Sequence, residues 1–333
     1  AAGSAGRGYD RARPMARRRP VAPQAVLSDR ALNRAALARQ LLLSRQAITP
    51  AAAVAQLAGM QAQVPRPPFV GLWSRLQPFD RASLTTAIDA RQVVRATMMR
   101  ATIHLVTRAD FLAWRSALQP MLHRVLQSLF AREMTQIDLA GLIDAARQRF
   151  EAGACTFAEL RTHLKTRFPA LNERVMGYAV RMQLPLVQTP MPGAEWAYPA
   201  SASFTLADGW LNASPTADGG LAPLVQRYLA AFGPASVRDF QGWSGLQGAA
   251  ATFEALRPSL AVFTDAAGRE LFDLPESPRP DDEVPAPLRL LPEYDNLLLA
   301  YDDRTRIIAA EHRPHVITRN LIVPATFLVD GVV

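Results

Sequence analysis

The chain has 333 residues, enough for about two domains or for several smaller units, with 49% apolar and 20% charged residues and a formal charge of +8. No apolar run approaches the roughly 18 residues that a membrane span requires, so a membrane protein is excluded from the expectation. The single cysteine, Cys155, excludes an intramolecular disulfide, and five histidines without an H-x-x-x-H pair argue against a zinc site.

The charge is uneven. Residues 1–27 carry six arginines (Arg7, Arg11, Arg13, Arg17, Arg18, Arg19) against Asp10, or +5, which leaves about +3 for the body. That leading stretch has no 7–15 residue apolar core and is not a secretory signal. Residues 1–26 read as a disordered basic tail, in which Met15 is a candidate start, or as an arm that touches nucleic acid. Lysine occurs once, at Lys165, against 36 arginines, a bias typical of a GC-rich genome.

Three segments then repeat one plan: a leading helix, two further short helices separated by a turn, and two β-like runs. In the first, residues 27–108, "LSDRALNRAALARQLLL" has helical period, and Thr49 with Pro50 opens a helix that Gly59 ends. "PFVGLWSRL" is helical, another helix follows Asp80, and "QVVRATMMRATIHLV" alternates like paired strands. In the second, residues 109–215, "LAGLIDAARQRFEAG", "TFAELRTHLKTRF" capped by Thr156, and "NERVMGYAVRMQL" precede a hairpin of "PLVQTP" and "EWAYPA". In the third, residues 216–275, "LAPLVQRYLAAFG", "SVRDFQGWSGL" and "QGAAATFEAL" precede "LAVFTD" and "RELFDLP", which flank a turn at Ala266, Ala267 and Gly268. This is the winged-helix plan in three tandem copies. A linker rich in proline and acid, "DLPESPRPDDEVPAP", leads to a β-rich end within residues 276–333. The fold class expected is therefore α+β and mainly helical, with three winged-helix units and a small C-terminal β-rich domain. The chain ends "FLVDGVV", a hairpin signal at Asp330-Gly331 with almost no return strand, and reads as cut short.

The tandem plan, the "MQAQ" segment, "MMRATIHLV" and "LRLLPEYDNLLLAYDDR" together resemble the bacterial AlkZ-like winged-helix DNA glycosylases, over about residues 27–331. The resemblance implies a catalytic Gln-apolar-Gln motif, matched by Gln61-Ala62-Gln63, and excision of bulky N7-alkylated purines, crosslinked ones included. It also implies a part in DNA repair or in self-resistance to a genotoxin. One departure is that the family usually continues past the last Asp-Gly into a strand ending in a basic residue.

The residues themselves support that role for the pair. With Gly59 ending a helix and Pro65 delaying the next, residues 60–64 are extended, and a period of two puts both amides on one side and Ala62 toward the core. Two amides are able to hold one water with its lone pair aimed at a sugar C1′. The alternative is that these glutamines only cap carbonyls or face solvent. On "RATIHLV", Arg100, Thr102 and His104 alternate onto one face, as contacts to DNA or as a polar surface with a histidine satisfied by backbone. Arg66, Arg161, Arg174 and Arg238 are candidate phosphate contacts, and Tyr294 and Asp295 are placed at a domain junction, where Asp295 organises an arginine. The absence of a lysine near the motif argues against a Schiff-base lyase step. The chain is thus expected to be a monofunctional glycosylase: a cytoplasmic, nucleoid-associated monomer acting on double-stranded DNA that contains an alkylated purine, with no cofactor, metal or membrane. The competing reading is a non-catalytic winged-helix regulator or scaffold.

Overall fold

The computed structural model describes residues 25–216, 220–318, 320 and 322–333, so the expected basic tail lies almost wholly outside the described residues. Val26, the last residue of that segment, forms strand β1 with Leu27 (Val26–Leu27). Helix starts follow the capping chemistry of the sequence. The Thr49 hydroxyl accepts the Ala52 N–H at 3.2 Å ahead of the helix Pro50–Gln56. Asp80 does the same for Arg81–Asp89, at 2.7 Å. Thr156 with Glu159, and Ser236 with Asp239, form reciprocal capping boxes that open Phe157–Arg167 and Val237–Ser244.

The strands are short. Met60–Gln61 (β2), Val93–Thr97 (β3), Ile103–Thr107 (β4), Leu186–Gln188 (β5) and Phe204–Leu206 (β6) make one five-stranded sheet in the order β2-β4-β3-β5-β6. Ala261–Asp265 (β7) and Glu270–Asp273 (β8) form the third hairpin, which β1 extends in parallel. Arg289–Leu291 (β9) pairs with Thr326–Leu328 (β10). The hairpins of the first two repeats are thus continuous through Ala96 and Val187, and a single large core runs from Ala36 to Leu328. A smaller cluster of Leu41, Val54, Met60, Ala62, Phe69, Leu72, Leu105 and Tyr198 lies under the edge of the five-stranded sheet.

Two expectations are corrected. The partner of "PLVQTP" is "FTL" at 204–206, and "EWAYPA" lies in turns. Its aromatics are taken up elsewhere: Trp196 meets Phe69 edge-on at 5.3 Å, and Tyr198 lies under the Arg95 guanidinium at 5.2 Å. Among its described residues the C-terminal segment is less β-rich than expected, with one pair of three-residue strands and two four-residue helices, Asn296–Leu299 and Arg313–Val316. Buried ion pairs hold it and the third hairpin to the first repeat. Arg39 meets Asp273 through two bonds of 2.7 and 2.8 Å, and Arg75 meets Asp295 at 2.9 and 2.8 Å. Asn33 donates to the carbonyls of Arg306 and Gly331, both at 2.8 Å, which seats the final turn on the first helix.

Candidate active site

Gly59 brings the motif onto the sheet. Its φ of +86° suits glycine, and a Cβ there would fall 2.7 Å from Val106 Cγ1 and 3.3 Å from the Leu105 carbonyl. The chain therefore runs directly onto β4, where Met60 pairs with Leu105 and Gln61 with His104. The ladder continues one residue further, Ala62 N–H donating to Ile103 O at 2.7 Å. Alternation follows: Met60 and Ala62 are buried in the smaller core, Gln61 is 8% exposed, and Gln63 is exposed.

Each glutamine oxygen has a partner that only donates, which fixes the amide orientation. Gln61 Oε1 accepts from Arg100 Nη2 at 2.8 Å, and Gln63 Oε1 accepts the Ile103 N–H at 3.2 Å. Each oxygen keeps a second lone pair.

The backbone under the glutamines is held from the far side by Arg95, in the wholly buried strand β3. Its Nε donates to Ala62 O at 2.8 Å, Nη2 to Gln63 O at 3.0 Å, and Nη1 to Gln188 Oε1. Burial lowers its pKa to about 10, so it remains a cation at neutral pH. Sequence reasoning missed both Arg95 and Gln188. The available signal was a lone arginine inside an apolar strand, which has to find acceptors.

Arg100 departs from the expected alternation. It lies in the turn between β3 and β4 with φ +54°, and β4 begins only at Ile103. From that turn it reaches both Gln61 and the carbonyl of Trp243. His104 is also not on a solvent face: it is 2% exposed, and its Nδ1 lies 3.1 Å from Thr102 O. A carbonyl only accepts, so Nδ1 carries the proton and Nε2 is an acceptor. Burial, with the nearby Arg100 charge second, pushes the imidazole pKa down to about 3. Thr102 donates to Met99 O at 3.1 Å and closes the turn.

A crevice of about 10 Å³, one water's worth, joins Gln61 and Met60 to Pro67, Pro68 and the segment Pro292–Asn296. Tyr294 lies there at φ +59°. Asp295 is locked to Arg75 and also accepts the Leu297 N–H at 3.1 Å. Arg66 pairs with Glu293 at 2.6 Å, a partner not foreseen from the sequence. Of the other arginines, Arg238 is 83% exposed and 3.4 Å from Asp302. Arg161 and Arg174 line one 430 Å³ cavity with Arg181 and Tyr178. These three sites are not brought into contact with the glutamines.

Residues 54–333 match the family model described as "DNA glycosylase AlkZ-like". That match covers most of the chain, which belongs to this family: it is a DNA glycosylase, a DNA-repair enzyme whose substrate is DNA. Among solved structures, the Streptomyces sahachiroi DNA glycosylase AlkZ is similar in fold, with a TM-score of 0.77 at 21% identity over 92% of this chain and 86% of that one. No curated protein matches the chain. Among the described residues no helix is long and apolar enough to cross a membrane.

Proposed function

We propose that this glycosylase hydrolyses the N-glycosidic bond of N7-alkylated purines in duplex DNA, bulky or crosslinked adducts included, in repair or genotoxin self-resistance. Gln61 and Gln63 orient the attacking water. The observation that carries this reading is the pair of oxygen-anchored amides beside a histidine that is neutral at physiological pH.

A neutral purine is a poor leaving group and needs a proton donor. His104 has no proton to spare at neutral pH, since its single N–H is committed to Thr102 O, and Arg95 and Arg100 stay protonated to about pH 10. An N7-alkylpurine is already cationic and departs without an acid, through an oxocarbenium-like state. What remains is to place water and stabilise positive charge. A water donating to the free lone pairs of both glutamine oxygens keeps its own lone pair for C1′, and the amide dipoles lie with their negative ends toward the developing cation. Lys165 donates to Pro169 O at 3.1 Å, in the second repeat, so no lysine near the motif supports a lyase step. We read the three helix-and-hairpin repeats as winged helices that hold duplex DNA as a monomer, with the exposed Arg66, Arg174 and Arg238 and the half-buried Arg161 against phosphates.

The test is base release by wild-type protein from duplexes that carry N7-methylguanine, a bulky N7 adduct, or the neutral base hypoxanthine. Release of the N7 adducts alone is expected. Release of hypoxanthine at a rate equal to that of the N7 adducts would overturn the reading, because it demands an acid that the site lacks.

A further inference from the structure

Beside Gln61 the chain gathers three arginines around one helix end. The helix Val237–Ser244 terminates at Gly245, with φ +79°. Arg100, from the β3–β4 turn, donates to the Trp243 carbonyl. Arg124, from the helix Gln119–Leu129, donates to the Gly245 carbonyl two residues on, at 3.0 Å. The turn and the helix end are in close contact, since a Cβ on Gly245 would fall 3.2 Å from Arg100 Cα. Arg304 approaches from the C-terminal segment, whose Asp302 N lies 3.8 Å from the Cβ position of Gly242. Its Nε is buried without a hydrogen-bond partner.

Asp302 and Asp239 offset only part of this charge, acting on Arg304 while burial and Arg313 oppose them. The partial negative charge at a helix C-terminus is about half a unit. The nearby acids are committed: Asp302 to Arg238 at 3.4 Å and Asp303 to Arg269 at 2.6 Å. Asp239 caps its own helix at Ser236 N and takes the Asp302 N–H at 2.9 Å. Burial and mutual repulsion depress the pKa of Arg100 to about 10, with Arg304 as the charge responsible. Arg100 is held beside Arg304 at this cost, with Arg124 bonded to the same helix end; the group calls for an anion, and the anion beside a glycosidic bond is the DNA backbone.

We propose that Arg100, Arg124 and Arg304 form a clamp for a phosphodiester group flanking the target nucleotide, which positions the sugar over Gln61 and Gln63. The clamp rests on the reading of those glutamines as the reaction centre. Arg100 links the two, since one guanidinium bonds both the helix end and Gln61. Arg124 and Arg304 are positioning residues.

The experiment uses the full chain and duplexes with a stable abasic analogue, in which single phosphates near the analogue are replaced by uncharged methylphosphonate. Affinity is measured across salt concentrations for wild type, Arg124→Gln, Arg124→Lys and Arg304→Gln. Wild type is expected to weaken at one or two linkages. Arg124→Gln and Arg304→Gln should bind the natural duplex more weakly, with a salt slope lower by about one, and should show no further loss at those linkages. Arg124→Lys should recover the slope, which a merely structural role would not produce. If the glutamine variants keep the wild-type slope, or lose as much as wild type at every linkage, the clamp is refuted. Base release by wild type, measured in parallel, separates the two claims: a clamp without N7-purine release contradicts the proposed chemistry, and release without a clamp contradicts only this inference.

Discussion

Replacing Arg95 by methionine tests how far the reaction depends on the backbone beneath the glutamines. Methionine keeps the aliphatic stem and removes the donors to Ala62 O, Gln63 O and Gln188 Oε1. Hydrogen bonds to a charged group contribute about 1.5–3 kcal/mol each. The sum is offset by release of a buried cation that has no carboxylate partner, a cost visible in its lowered pKa. A net loss of about 2–4 kcal/mol is therefore expected in urea unfolding. The functional effect is larger in proportion. With Ala62 O and Gln63 O freed, the second glutamine is held only through its bond from the Ile103 N–H, and misplacement by about 1 Å costs on the order of a hundredfold in rate. Arg95 is 4% exposed and does not reach DNA, so affinity for an abasic duplex should stay within a few-fold of wild type. Single-turnover base release at saturating enzyme separates the two effects. A variant that folds and retains a rate within roughly threefold of wild type, under 1 kcal/mol of barrier, would refute the role assigned to Arg95.

Other expectations follow from the same geometry. Asp295→Asn leaves the fully buried Arg75 without its counter-charge and should cost about 3–5 kcal/mol in denaturant melts; a loss below about 1 kcal/mol would show that the pair is dispensable. His104 has a folded pKa of about 3 against 6.5 unfolded, so its contribution is complete above pH 6.5 and is lost as pH falls toward 3. On the order of 3 kcal/mol should go by about pH 4.5, and His104→Gln should flatten that dependence. Gly245→Ala places a methyl 3.1 Å from Met121 Cγ and 3.2 Å from Arg100 Cα at a positive φ. It should destabilise by about 1–2 kcal/mol and slow base release by displacing the Arg100 turn; a rate equal to wild type would show that the turn tolerates the shift.

Local chemistry was legible in the sequence. Thr49, Asp80 and Thr156 cap the helices they precede, and after Gly59 the chain forms an edge strand at Met60–Gln61 that leads into Ala62 and Gln63 with alternating faces. What the sequence did not disclose comes from contacts between distant segments. Arg95 and Gln188 meet across two hairpins, and the Trp243 carbonyl lies 143 residues from Arg100. No periodicity carries such pairings. Arg100, Thr102 and His104 look like one alternating strand, yet the chain takes a left-handed step at Arg100 and Ala101, so only His104 lies in the ladder. "EWAYPA" has the aromatic content of a strand, but Trp196 and Tyr198 are used against Phe69 and Arg95, and tertiary packing outweighs β propensity there.

The most direct test of the central claim compares single-turnover release of N7-methylguanine and of a bulky N7 adduct by wild type, Gln61→Ala and Gln63→Ala. If the two amides place the water, at least one variant should lose tenfold or more in rate, about 1.4 kcal/mol of transition-state stabilisation, while still binding abasic duplex DNA. Wild-type rates in both variants would contradict the account and place the chemistry elsewhere in the chain.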